Sequence, residues 1–411
     1  MLRFVICVCL AHVACNVVTA EESQVKQLAS WLAENKLDNQ SMVKLQTLPW
    51  STSALTKQES NEAASALWTA RKQQLRSIRK AEHDARSIEL NKLKMPFWYK
   101  VFGEKPESGR SLFISMHGGG GAPAAVNTRQ YENQKRLYQP SEGVYLVPRA
   151  PTDTWNLWHQ GHIDQFFDRL ITNMVVFEDV DPNKVYLMGY SAGGDGVYQL
   201  APRMADRFAA ASMMAGHPNE AKSDGLRNIP FALFMGANDS AYNRNKIAAK
   251  KKKRLAELQA ADPDGYTHSV SIFEGMGHWM QRKDAVAVPW MAKFERRQFP
   301  DRLVWVQDDV VHSQSYWLRT AKNVKAGDTM VAGRDGNTIQ VECDDVSQVT
   351  VLLNDKMMDL DRPVTVKVAG QPVVELNAVR TIGALVRSLV QRDDPEMMFS
   401  AEVSLSSKGE H

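Results

Sequence analysis

A serine stands between glycines in the stretch VYLMGYSAGGDGVYQLA, residues 185–201. The apolar run before it predicts a strand, and the residues after it predict a helix. Gly189 and Gly193 would let the backbone turn sharply without a Cβ clash, which would lift the hydroxyl of Ser191 above the end of the strand. Ser191 is therefore a candidate nucleophile, in the strand, turn and helix context that the G-x-S-x-G pattern requires.

A serine hydroxyl needs a base to accept its proton and a carboxylate to orient that base. The segment PFALFMGANDSAY, residues 230–242, places Asp239 just after a later apolar run, and HSVSIFEGMGHWM, residues 268–280, places His278 after the next one. Both follow predicted strands, and the chain order Ser, Asp, His is the one expected for this architecture. We predict that Asp239 is the acid and His278 the base.

Other histidines and carboxylates fit these roles less well. His217 precedes every suitable acid in the chain, which conflicts with the expected order. The remaining candidates lie in loop or helical patterns or lack a strand-end position; they are Asp262, Asp264, Asp284, His159, His162 and His312. Among them, Asp284 is the second choice for the acid.

The attacked carbonyl becomes an oxyanion, which hydrogen-bond donors must stabilise. One expected donor is the N–H of Ala192, directly after the serine. Upstream, FISMHGGGGAP, residues 113–123, ends a predicted strand and continues through four glycines. The N–H groups of Gly118 and Gly119 are candidates for the other donors, and a flexible glycine turn is the alternative. The chain has neither an H-E-x-x-H pattern nor paired Cys and His spacing, so we expect no metal and no other cofactor.

Aromatic side chains give the only indication of substrate contacts. The loop APTDTWNLWHQGHIDQFF, residues 150–167, offers Trp155 and Trp158 on the face where the catalytic groups are expected. Tyr190, next to the serine, is a third candidate. Aromatic rings there could stack on a sugar or a phenolic acyl group, but tryptophans in loops serve equally often as packing anchors.

The chain divides into segments of different pattern. Residues 21–95 are rich in Ala, Leu, Gln, Lys and Glu, which predicts a helical lead-in. In residues 96–299 short apolar runs alternate with helical stretches, which predicts the α/β class, a mostly parallel sheet with helices on both faces. Residues 300–411 have short alternating runs, which predict a small β-sandwich-like domain with one helix near residues 381–391. We expect this β-rich domain to have its own core and to be removable.

The N-terminus MLRFVICVCLAHVACNVVTA has the features of an export signal. Arg3 precedes an apolar run that ends in the small-residue pattern VTA, so residues 1–20 are predicted to be removed and the protein to be secreted or periplasmic. A retained membrane anchor is the alternative, although polar residues interrupt this run and it is shorter than a span requires. No later apolar run is long enough to span. Removal would leave Cys343 of four cysteines, so no intrachain disulfide is expected.

Composition restricts the classes of partner. Of 411 residues, 44% are hydrophobic and 24% charged, and the net charge is +3, which is typical of a soluble globular protein. This balance gives no excess of positive charge for a polyanion, so we expect no nucleic-acid partner. The lysine-rich run of residues 250–254 lies in a helical pattern and is interpreted as a solvated helix face. The sequence leaves the oligomeric state open.

Four motifs in sequence order resemble those of the α/β hydrolase superfamily: HGGGG, DPNKVYLMGYSAGG, GAND and GMGH. They are most similar to its esterase branch related to feruloyl esterases and polyhydroxyalkanoate depolymerases, over residues 96–299. The resemblance implies an α/β hydrolase fold with nucleophile Ser191, acid Asp239 and base His278, and an acyl-enzyme that water hydrolyses. The helical lead-in and the β-rich domain depart from the minimal family.

The leading hypothesis is a secreted serine esterase that acts on a carboxylic ester, with esters attached to polysaccharide among the options. A peptidase of the prolyl oligopeptidase type would share the triad and fold, but it would carry a large propeller, and the lead-in here is too short and too helical. A carbohydrate-binding or surface-binding protein on a hydrolase scaffold is the third option. An intact Ser, Asp and His set argues against that option.

Overall fold

The structure is a computed structural model that describes residues 23–320, 324–343, 348–369 and 372–406. The predicted export signal, residues 1–20, lies outside the described residues. Within the described ranges, no helix has both the length and the apolarity needed to cross a membrane.

Helices come first in the described chain: α1 (Gln24–Glu34), α2 (Asn39–Leu45) and α3 (Lys57–Asp84). A capping box starts α3, because the Thr56 side chain accepts from the N–H of Glu59 and the Glu59 carboxylate accepts from the N–H of Thr56. Ala63 and Leu67 of α3 lie in one apolar cluster with Leu28 of α1. Burial of this apolar face holds the helices together.

The prediction of a helical segment up to residue 95 is wrong in its last part. A hairpin of β1 (Ser87–Leu90) and β2 (Leu93–Phe102) follows α3, and both residues of its turn have positive φ angles, as a tight hairpin requires. Met95 and Phe97 are buried while their neighbours along β2 are more exposed, a period of two that fits a strand. Burial in the main sheet therefore overrides the helical composition of this stretch.

The central unit continues as a regular alternation of strands and helices. Its further elements are β3 (Arg110–Met116), α4 (Ala124–Gln134), β4 (Gly143–Pro148), α5 (His162–Phe177), β5 (Val180–Tyr190), α6 (Ala192–Arg203), β6 (Ala210–Met214), β7 (Phe231–Gly236), α7 (Arg244–Ala261), β8 (His268–Phe273) and α8 (Ala287–Met291). Residues 87–273, all of them described, contain one eight-stranded sheet of order β1-β2-β4-β3-β5-β6-β7-β8. Strands β3 to β8 are parallel to one another, β2 is antiparallel to its neighbour β4, and β1 is antiparallel to β2. The predicted α/β class is confirmed.

The loops that carry the predicted catalytic groups leave the carboxyl edge of this sheet. β3 and β5 are neighbours, with Met116 opposite Gly189, so the glycine loop after β3 and the serine after β5 emerge side by side. β7 and β8 are also neighbours, so the loops with Asp239 and His278 emerge together. Parallel strands point their carboxyl ends in the same direction, which gathers these loops above one edge.

The C-terminal residues form two further sheets, as their alternating pattern predicts. Their elements are β9 (Arg302–Val306), β10 (Gln314–Ser315), β11 (Leu318–Thr320), β12 (Thr329–Asp335), β13 (Thr338–Cys343), β14 (Gln348–Leu353), β15 (Val364–Val368), β16 (Val374–Leu376), α9 (Ile382–Arg392) and β17 (Ala401–Ser406). In the described part of residues 302–406, the sheets have the orders β10-β11-β14-β17 and β16-β15-β13-β12-β9. The helix expected near residues 381–391 is α9.

The β-rich domain does not have a separate core, contrary to our expectation. One apolar cluster contains Phe167 and Leu200 of the central unit together with Trp317 and Val351 of the β-rich domain. Residues of α9 lie in the apolar cluster of the N-terminal helices. Because apolar burial stabilises a fold in proportion to its area, the β-rich domain contributes to the stability of its neighbours.

Buried ion pairs also cross this junction. The Asp394 carboxylate accepts from Arg296 at 2.7 Å and lies 3.2 Å from a guanidinium nitrogen of Arg207. Arg392 donates to Asp206 at 2.6 Å. All five side chains are at most 6% exposed, and each charge has an opposite partner. Removal of the β-rich domain would leave arginines of the central unit without these partners, at a high desolvation cost.

Candidate active site

Ser191 lies at the sharp turn between β5 and α6. Its backbone has φ 59° and ψ −123°, a region that residues with a side chain rarely occupy. The flanking glycines are required, because a Cβ on Gly189 would lie 2.2 Å from the carbonyl oxygen of Gly193. The N–H of Ser191 donates to Met214 at 2.9 Å, and its carbonyl accepts from Asp195 at 3.0 Å. These bonds hold the strained turn that presents the hydroxyl above the sheet.

Three side chains form a hydrogen-bonded line above the carboxyl edge. Oγ of Ser191 is 3.0 Å from Nε2 of His278, and Nδ1 of His278 is 2.7 Å from Oδ2 of Asp239. Because a carboxylate only accepts, the neutral ring carries its proton on Nδ1, which leaves Nε2 to accept from the hydroxyl. The side chain of Asp239 is 2% exposed and that of His278 is 43% exposed. A buried anion thus orients an imidazole that is accessible from solvent.

Tyr190, the last residue of β5, bonds to the loop that carries His278. Its hydroxyl donates to the carbonyl oxygen of His278 at 2.6 Å and accepts from the N–H of Met280 at 3.0 Å. Burial raises the pKa of Tyr190 above its ordinary value, which keeps the hydroxyl protonated. The sequence predicts a substrate contact here. The structure places Tyr190 in the pocket wall, with its hydroxyl bonded to the backbone on either side of Trp279.

Gly118, Gly119 and Ala192, the predicted oxyanion donors, lie around the serine. A Cβ on Gly118 would be 3.1 Å from Cβ of Ser191, so this backbone borders the space that a substrate carbonyl would occupy. Ala192 is the first residue of α6, so its N–H has no acceptor within the helix. Gly119 has a φ of 119°, and a Cβ there would lie 2.0 Å from Oδ1 of Asn127, so only glycine fits. Their donation to an oxyanion stays a prediction.

Two buried side chains hold the glycine loop in place. Asn127 accepts from the N–H of Gly120 and donates to its carbonyl, both at 3.0 Å. His117 donates from Nδ1 to the carbonyl of Gly118 at 2.6 Å and accepts at Nε2 from the N–H of Ala150 at 3.1 Å. Burial lowers the pKa of His117 to about 4, so the ring is neutral at neutral pH. The glycine loop therefore has fixed partners on both sides.

The two tryptophans predicted to contact substrate have different surroundings. Trp158 is fully buried and donates from Nε1 to the carbonyl of His117 at 2.9 Å. Its prediction as a substrate contact is wrong, because it is a packing anchor beneath the glycine loop. Trp155 is 63% exposed and lies against the loop, since a Cβ on Gly121 would be 3.4 Å from its Cβ. The described pocket wall at Ser191 does not include Trp155, so its role stays a prediction.

An open pocket of about 640 Å³ begins at Ser191 and reaches α4 and the turn after it. Its lining residues are Gly118, Gly119, Gln130, Asn133, Gln134, Arg136, Leu137, Tyr190, Ser191, His278 and Trp279. Leu137, Tyr190 and the half-exposed Trp279 make part of the lining apolar and aromatic, while Gln130 and Asn133 add amide groups. A pocket of this size accepts more than a short acyl chain.

Sequence reasoning missed most of this pocket. Trp279 directly follows His278, so its place beside the base was readable from the chain order. The residues of α4 carry no motif, and the crossover connection between β3 and β4 brings them to the site. Helical position and tertiary packing alone decide which of their side chains face the pocket.

The second-choice catalytic residues belong to other networks. Asp284 is buried and accepts from the hydroxyl of Tyr138, and burial raises the pKa of Asp284. Nδ1 of His217 is 3.1 Å from the side chain of Asn219. Two of the other candidates also have partners in the scaffold: Asp262 pairs with Arg227, and His312 pairs with Asp164.

An acidic cluster lies in a cavity of about 300 Å³ between the central unit and the β-rich domain. Carboxylate oxygens of Glu220, Asp308 and Asp309 lie within 4.8 Å of one another. Arg203 and Lys222 line the same cavity, and Nη1 of Arg203 is 3.7 Å from Asp309. Cationic side chains of the chain itself therefore offset part of this negative charge.

A nucleophile at a strained strand-to-helix turn, followed along the chain by its acid and then its base, is typical of one superfamily when the sheet is mostly parallel. The sheet order and the positions of Ser191, Asp239 and His278 after β5, β7 and β8 meet that description. The central domain has the α/β hydrolase fold. The resemblance drawn from the four motifs is confirmed.

Comparison with known families agrees with this class. The model of the dienelactone hydrolase family matches residues 147–298, a range that contains all three predicted catalytic positions and less than half of the chain. A curated relative, the bifunctional acetylxylan esterase/xylanase XynS20E of Neocallimastix patriciarum, is 30% identical over 140 residues. That match covers 33% of this chain and 20% of the relative, so the chain spans about a fifth of the relative's length.

Solved structures similar to this chain include several esterases. A thermostable esterase is 17% identical with a TM-score of 0.40, over 51% of this chain and 62% of that one. A ferulic acid esterase is 15% identical with a TM-score of 0.34, over 50% of this chain and 95% of that one.

Proposed function

We propose that this protein is an exported serine esterase that hydrolyses carboxylic esters through a covalent acyl-enzyme on Ser191. The observation that carries the proposal is the line from Oγ of Ser191 through His278 to buried Asp239, with distances of 3.0 and 2.7 Å. Such a line activates a hydroxyl for acyl transfer. The open pocket beside it gives an ester room to approach.

In the first half of the reaction, Nε2 of His278 accepts the proton of Ser191 while Oγ bonds to the carbonyl carbon of the ester. The carbonyl oxygen becomes an oxyanion, which the N–H groups of Ala192 and of the glycine loop stabilise. The bond from carbon to the alcohol oxygen then breaks, and His278 gives its proton to that oxygen. The products are the free alcohol and the acyl ester of Ser191.

In the second half, water replaces the alcohol. His278 takes a proton from the water as its oxygen attacks the acyl carbon, and returns a proton to Oγ of Ser191 when the intermediate collapses. The carboxylic acid leaves and the free enzyme is restored. Asp239 stays ionised throughout, orients the ring and stabilises the imidazolium that forms twice in each cycle.

The substrates we propose are esters attached to polysaccharide or esters of aromatic acids. The pocket combines Tyr190 and Trp279 with the amides of Gln130 and Asn133, which suits a ring that carries hydroxyl groups. The name of the curated relative combines an acetylxylan esterase with a xylanase. Its match with about a third of this chain supports a polysaccharide ester as the substrate class.

A peptidase of the prolyl oligopeptidase type is the second candidate, because the same triad cleaves amides in that class. The described residues ahead of the central unit are helices α1 to α3 and contain no propeller, which favours the esterase.

Export is proposed from the pattern of residues 1–20 alone. Intact mass of the protein recovered from the periplasm or medium of the expressing bacterium should give a chain that begins at Glu21.

Active-site labelling and hydrolysis test the proposal together. A fluorophosphonate probe should label the wild-type protein and should not label Ser191→Ala, which should also lose on the order of 10⁴-fold or more in kcat on 4-nitrophenyl acetate. Ser240→Ala removes an exposed serine beside the acid and is the matched control. It should keep both labelling and turnover, whereas labelling that persists in Ser191→Ala would refute the nucleophile.

A substrate panel separates the two enzyme classes. We expect turnover of 4-nitrophenyl acetate, methyl ferulate or acetylated xylan, and no turnover of a proline-containing peptide amide. An ester releases a better leaving group than an amide, and nothing in the described pocket lining offers a carboxylate to hold a peptide amine. A kcat/KM for the peptide amide above that for every ester, with the same dependence on Ser191, would replace the esterase by the peptidase.

A further inference from the structure

Three aromatic side chains of the described chain are largely open to solvent. Trp155 is 63% exposed, Tyr242 is 75% exposed and Trp279 is 50% exposed. The other large hydrophobic side chains that are similarly exposed in the described ranges are aliphatic, and most of them are valines. Single exposed apolar residues are common on protein surfaces, so the positions of the three rings decide whether they share a role.

All three rings lie on loops that leave the carboxyl edge of the main sheet. Trp155 lies between β4 and α5, Tyr242 between β7 and α7, and Trp279 between β8 and α8. Exposed aliphatic side chains occur elsewhere in the fold: Ile78 lies on α3 and Val374 on β16. The exposed aromatic rings therefore share the edge that carries the proposed nucleophile.

Trp155 is connected to the nucleophile through the glycine loop. A Cβ on Gly121 would lie 3.4 Å from Cβ of Trp155, and a Cβ on Gly118 would lie 3.1 Å from Cβ of Ser191. Three residues of extended chain span at most about 11 Å. Trp155 and Ser191 thus lie at the two ends of one short segment.

The other two rings lie on the side of the proposed base and acid. Trp279 directly follows His278 in the chain and lines the pocket. The Tyr242 ring centroid is 4.8 Å from the guanidinium carbon of Arg244, and Nη1 of that guanidinium is 3.7 Å from Oδ1 of Asp239. Rings from three separate loops therefore border the site, one of them in the pocket wall and two outside it.

Each ring packs on a neighbouring side chain that limits its motion. Trp155 makes an edge contact with the buried ring of His159 at 5.5 Å between centroids, and Trp279 lies 5.8 Å from the buried ring of Tyr190. The guanidinium beside Tyr242 has the same effect. A side chain that is already held in place loses little conformational entropy when a ligand covers it. The three rings are therefore preorganised for contact with a ligand.

Exposed hydroxyl and amide side chains flank the rings. Thr154 precedes one ring, Asn243 follows the second, and Gln281 lies two residues after the third. A protein partner or a lipid surface would favour a continuous apolar patch. A sugar ring has an apolar face of C–H bonds that can stack on an aromatic ring, and its hydroxyl groups exchange hydrogen bonds with side chains of this kind. The flanking groups therefore favour a carbohydrate.

We propose that Trp155, Tyr242 and Trp279 form a binding surface for a carbohydrate polymer, on which sugar units of one chain stack while an esterified unit lies at Ser191. The inference rests on the proposed function and places the ester on a polysaccharide chain. A small ester occupies the pocket and reaches the ring of Trp279 alone among the three. A polymer extends beyond the pocket to the other two rings.

Affinity gel electrophoresis tests this surface separately from catalysis. The gels contain acetylated xylan, acetylated glucomannan or feruloylated arabinoxylan, and the Ser191→Ala protein leaves the polymer uncleaved. We expect retardation by at least one of these polymers. In the same background, Kd should rise about 5-fold in Trp155→Ala and in Tyr242→Ala, and about 25-fold in the double variant, because separated stacking contacts contribute independently.

Variants that keep a ring separate stacking from a change in the fold. Trp155→Phe and Tyr242→Phe should bind the polymer within about 2-fold of the parent protein, since an aromatic face remains. Ile78→Ala is the matched control, because it removes an exposed apolar side chain on α3, outside the loops of the carboxyl edge. Its Kd should stay unchanged. With the serine restored, the two alanine substitutions should raise KM for the esterified polymer and leave kcat near the wild-type value.

The absence of retardation in all three polymers would overturn the proposal, as would an unchanged Kd in the double variant or an equal loss in Ile78→Ala. Association with phosphatidylcholine or phosphatidylglycerol vesicles that depends on the rings, without polysaccharide binding, would replace the carbohydrate by a lipid surface. A wild-type protein that binds the polymer and hydrolyses no ester would refute the proposed function and leave the surface intact. Ester hydrolysis without polymer binding would do the reverse.

Discussion

Two aspartates of this protein are almost equally buried and have different partners. The side chains of Asp239 and Asp394 are 2% and 1% exposed. Asp394 lies 2.7 Å from Arg296 and 3.2 Å from Arg207, so two guanidinium groups surround one carboxylate at the junction with the β-rich domain. Asp239 bonds to an imidazole, and its nearest guanidinium, that of Arg244, is 3.7 Å away.

The difference in partners separates the charge of Asp239, which would serve the proposed reaction, from the charge of Asp394, which serves the architecture. Burial alone would raise the pKa of Asp394, but Arg296 and Arg207 outweigh burial and lower that pKa below its usual range. Because two cations already offset the charge of Asp394, this carboxylate attracts a third group only weakly. Asp239 must stabilise an imidazolium that forms only during the proposed reaction, so its charge cannot be fully compensated beforehand. Substitutions at the two positions should therefore change different measurements.

The largest expected effect is on the rate in Asp239→Asn. The amide leaves the imidazole in the wrong orientation and tautomer, so kcat should fall by roughly 10³ to 10⁴ with the fold retained. Steady-state kinetics on 4-nitrophenyl acetate and a thermal melt measure the two quantities. Asp284→Asn, which changes the second-choice acid bonded to Tyr138, is the control and should keep most of the activity. Near-normal turnover in Asp239→Asn would transfer the acid role to Asp284.

Asp394→Asn should show the opposite pattern. Loss of this charge leaves Arg296 and Arg207 incompletely paired in a buried site, which should lower the free energy of unfolding by about 3 to 5 kcal/mol. Urea denaturation measures the loss, and kcat of the folded fraction should stay near the wild-type value. The control is Asp361→Asn, since the Asp361 side chain is 67% exposed and an exposed pair contributes at most about 1 kcal/mol. Equal stability losses in the two variants would contradict the comparison.

The same network changes our expectation for a shortened chain. The strand pattern after residue 300 predicts a removable domain, but Asp394 and the apolar cluster that includes Trp317 belong to both units. A chain that ends at Phe299 should therefore be insoluble or should unfold at a much lower temperature than the full chain. Recovery of a soluble, cooperatively folding short chain would restore the original expectation of an independent core.

Sequence reasoning brought together the three residues of the hydrogen-bonded line because each of them follows a predicted strand within a short motif. Ser191, Asp239 and His278 are far apart in the chain, but the carboxyl edge of a parallel sheet brings such positions together without any knowledge of side-chain packing. Tyr190 and Trp158 show the limit of this argument. Their position near the site was readable, but whether a ring faces substrate or the glycine loop depends on packing that no local pattern encodes.

The junction was not predictable for a related reason. Asp394 and Arg296 are 98 residues apart, and Asp394 and Arg207 are 187 residues apart. In the sequence, RDDPEMM resembles an exposed turn, since charged residues beside a proline are usually solvated. Only the fold shows that α9 packs on the N-terminal helices and buries this turn. Long-range pairing, and not composition, decides the role of such a charge.

A histidine within the active site extends the comparison to pH. Burial lowers the pKa of His117 from 6.5 to about 4, so between these values the unfolded chain binds a proton that the folded protein does not. Stability should therefore fall as the pH is lowered from 7, by on the order of 2 kcal/mol at pH 5 from this residue. Urea denaturation of the wild type and of His117→Gln, each at pH 7 and pH 5, should show a smaller pH dependence of the free energy of unfolding in the variant.

His268→Gln is the control for this measurement, because His268 is a half-buried histidine of β8 outside the glycine loop. It should keep the wild-type dependence between pH 7 and 5. An unchanged dependence in His117→Gln would mean that other groups cause the loss of stability. The expected result would assign His117, although it lies beside the nucleophile, to the architecture and not to the reaction.

The smallest expected effect concerns recognition, at Trp279. This ring is 50% exposed and lines the pocket next to the base, so it can stack on an aromatic acyl group or a sugar without taking part in proton transfer. Trp279→Ala should lower kcat/KM for methyl ferulate by about 5 to 10-fold, mainly through KM, because a ring contact contributes about 1 kcal/mol. The same variant should hydrolyse methyl butyrate nearly as well as the wild type.

Trp155→Ala is the matched control, since Trp155 is exposed but lies outside the pocket wall. If Trp155→Ala and not Trp279→Ala changes the preference between the two esters, the substrate ring lies over the glycine loop, and the aromatic contact predicted from the sequence replaces the one drawn from the pocket.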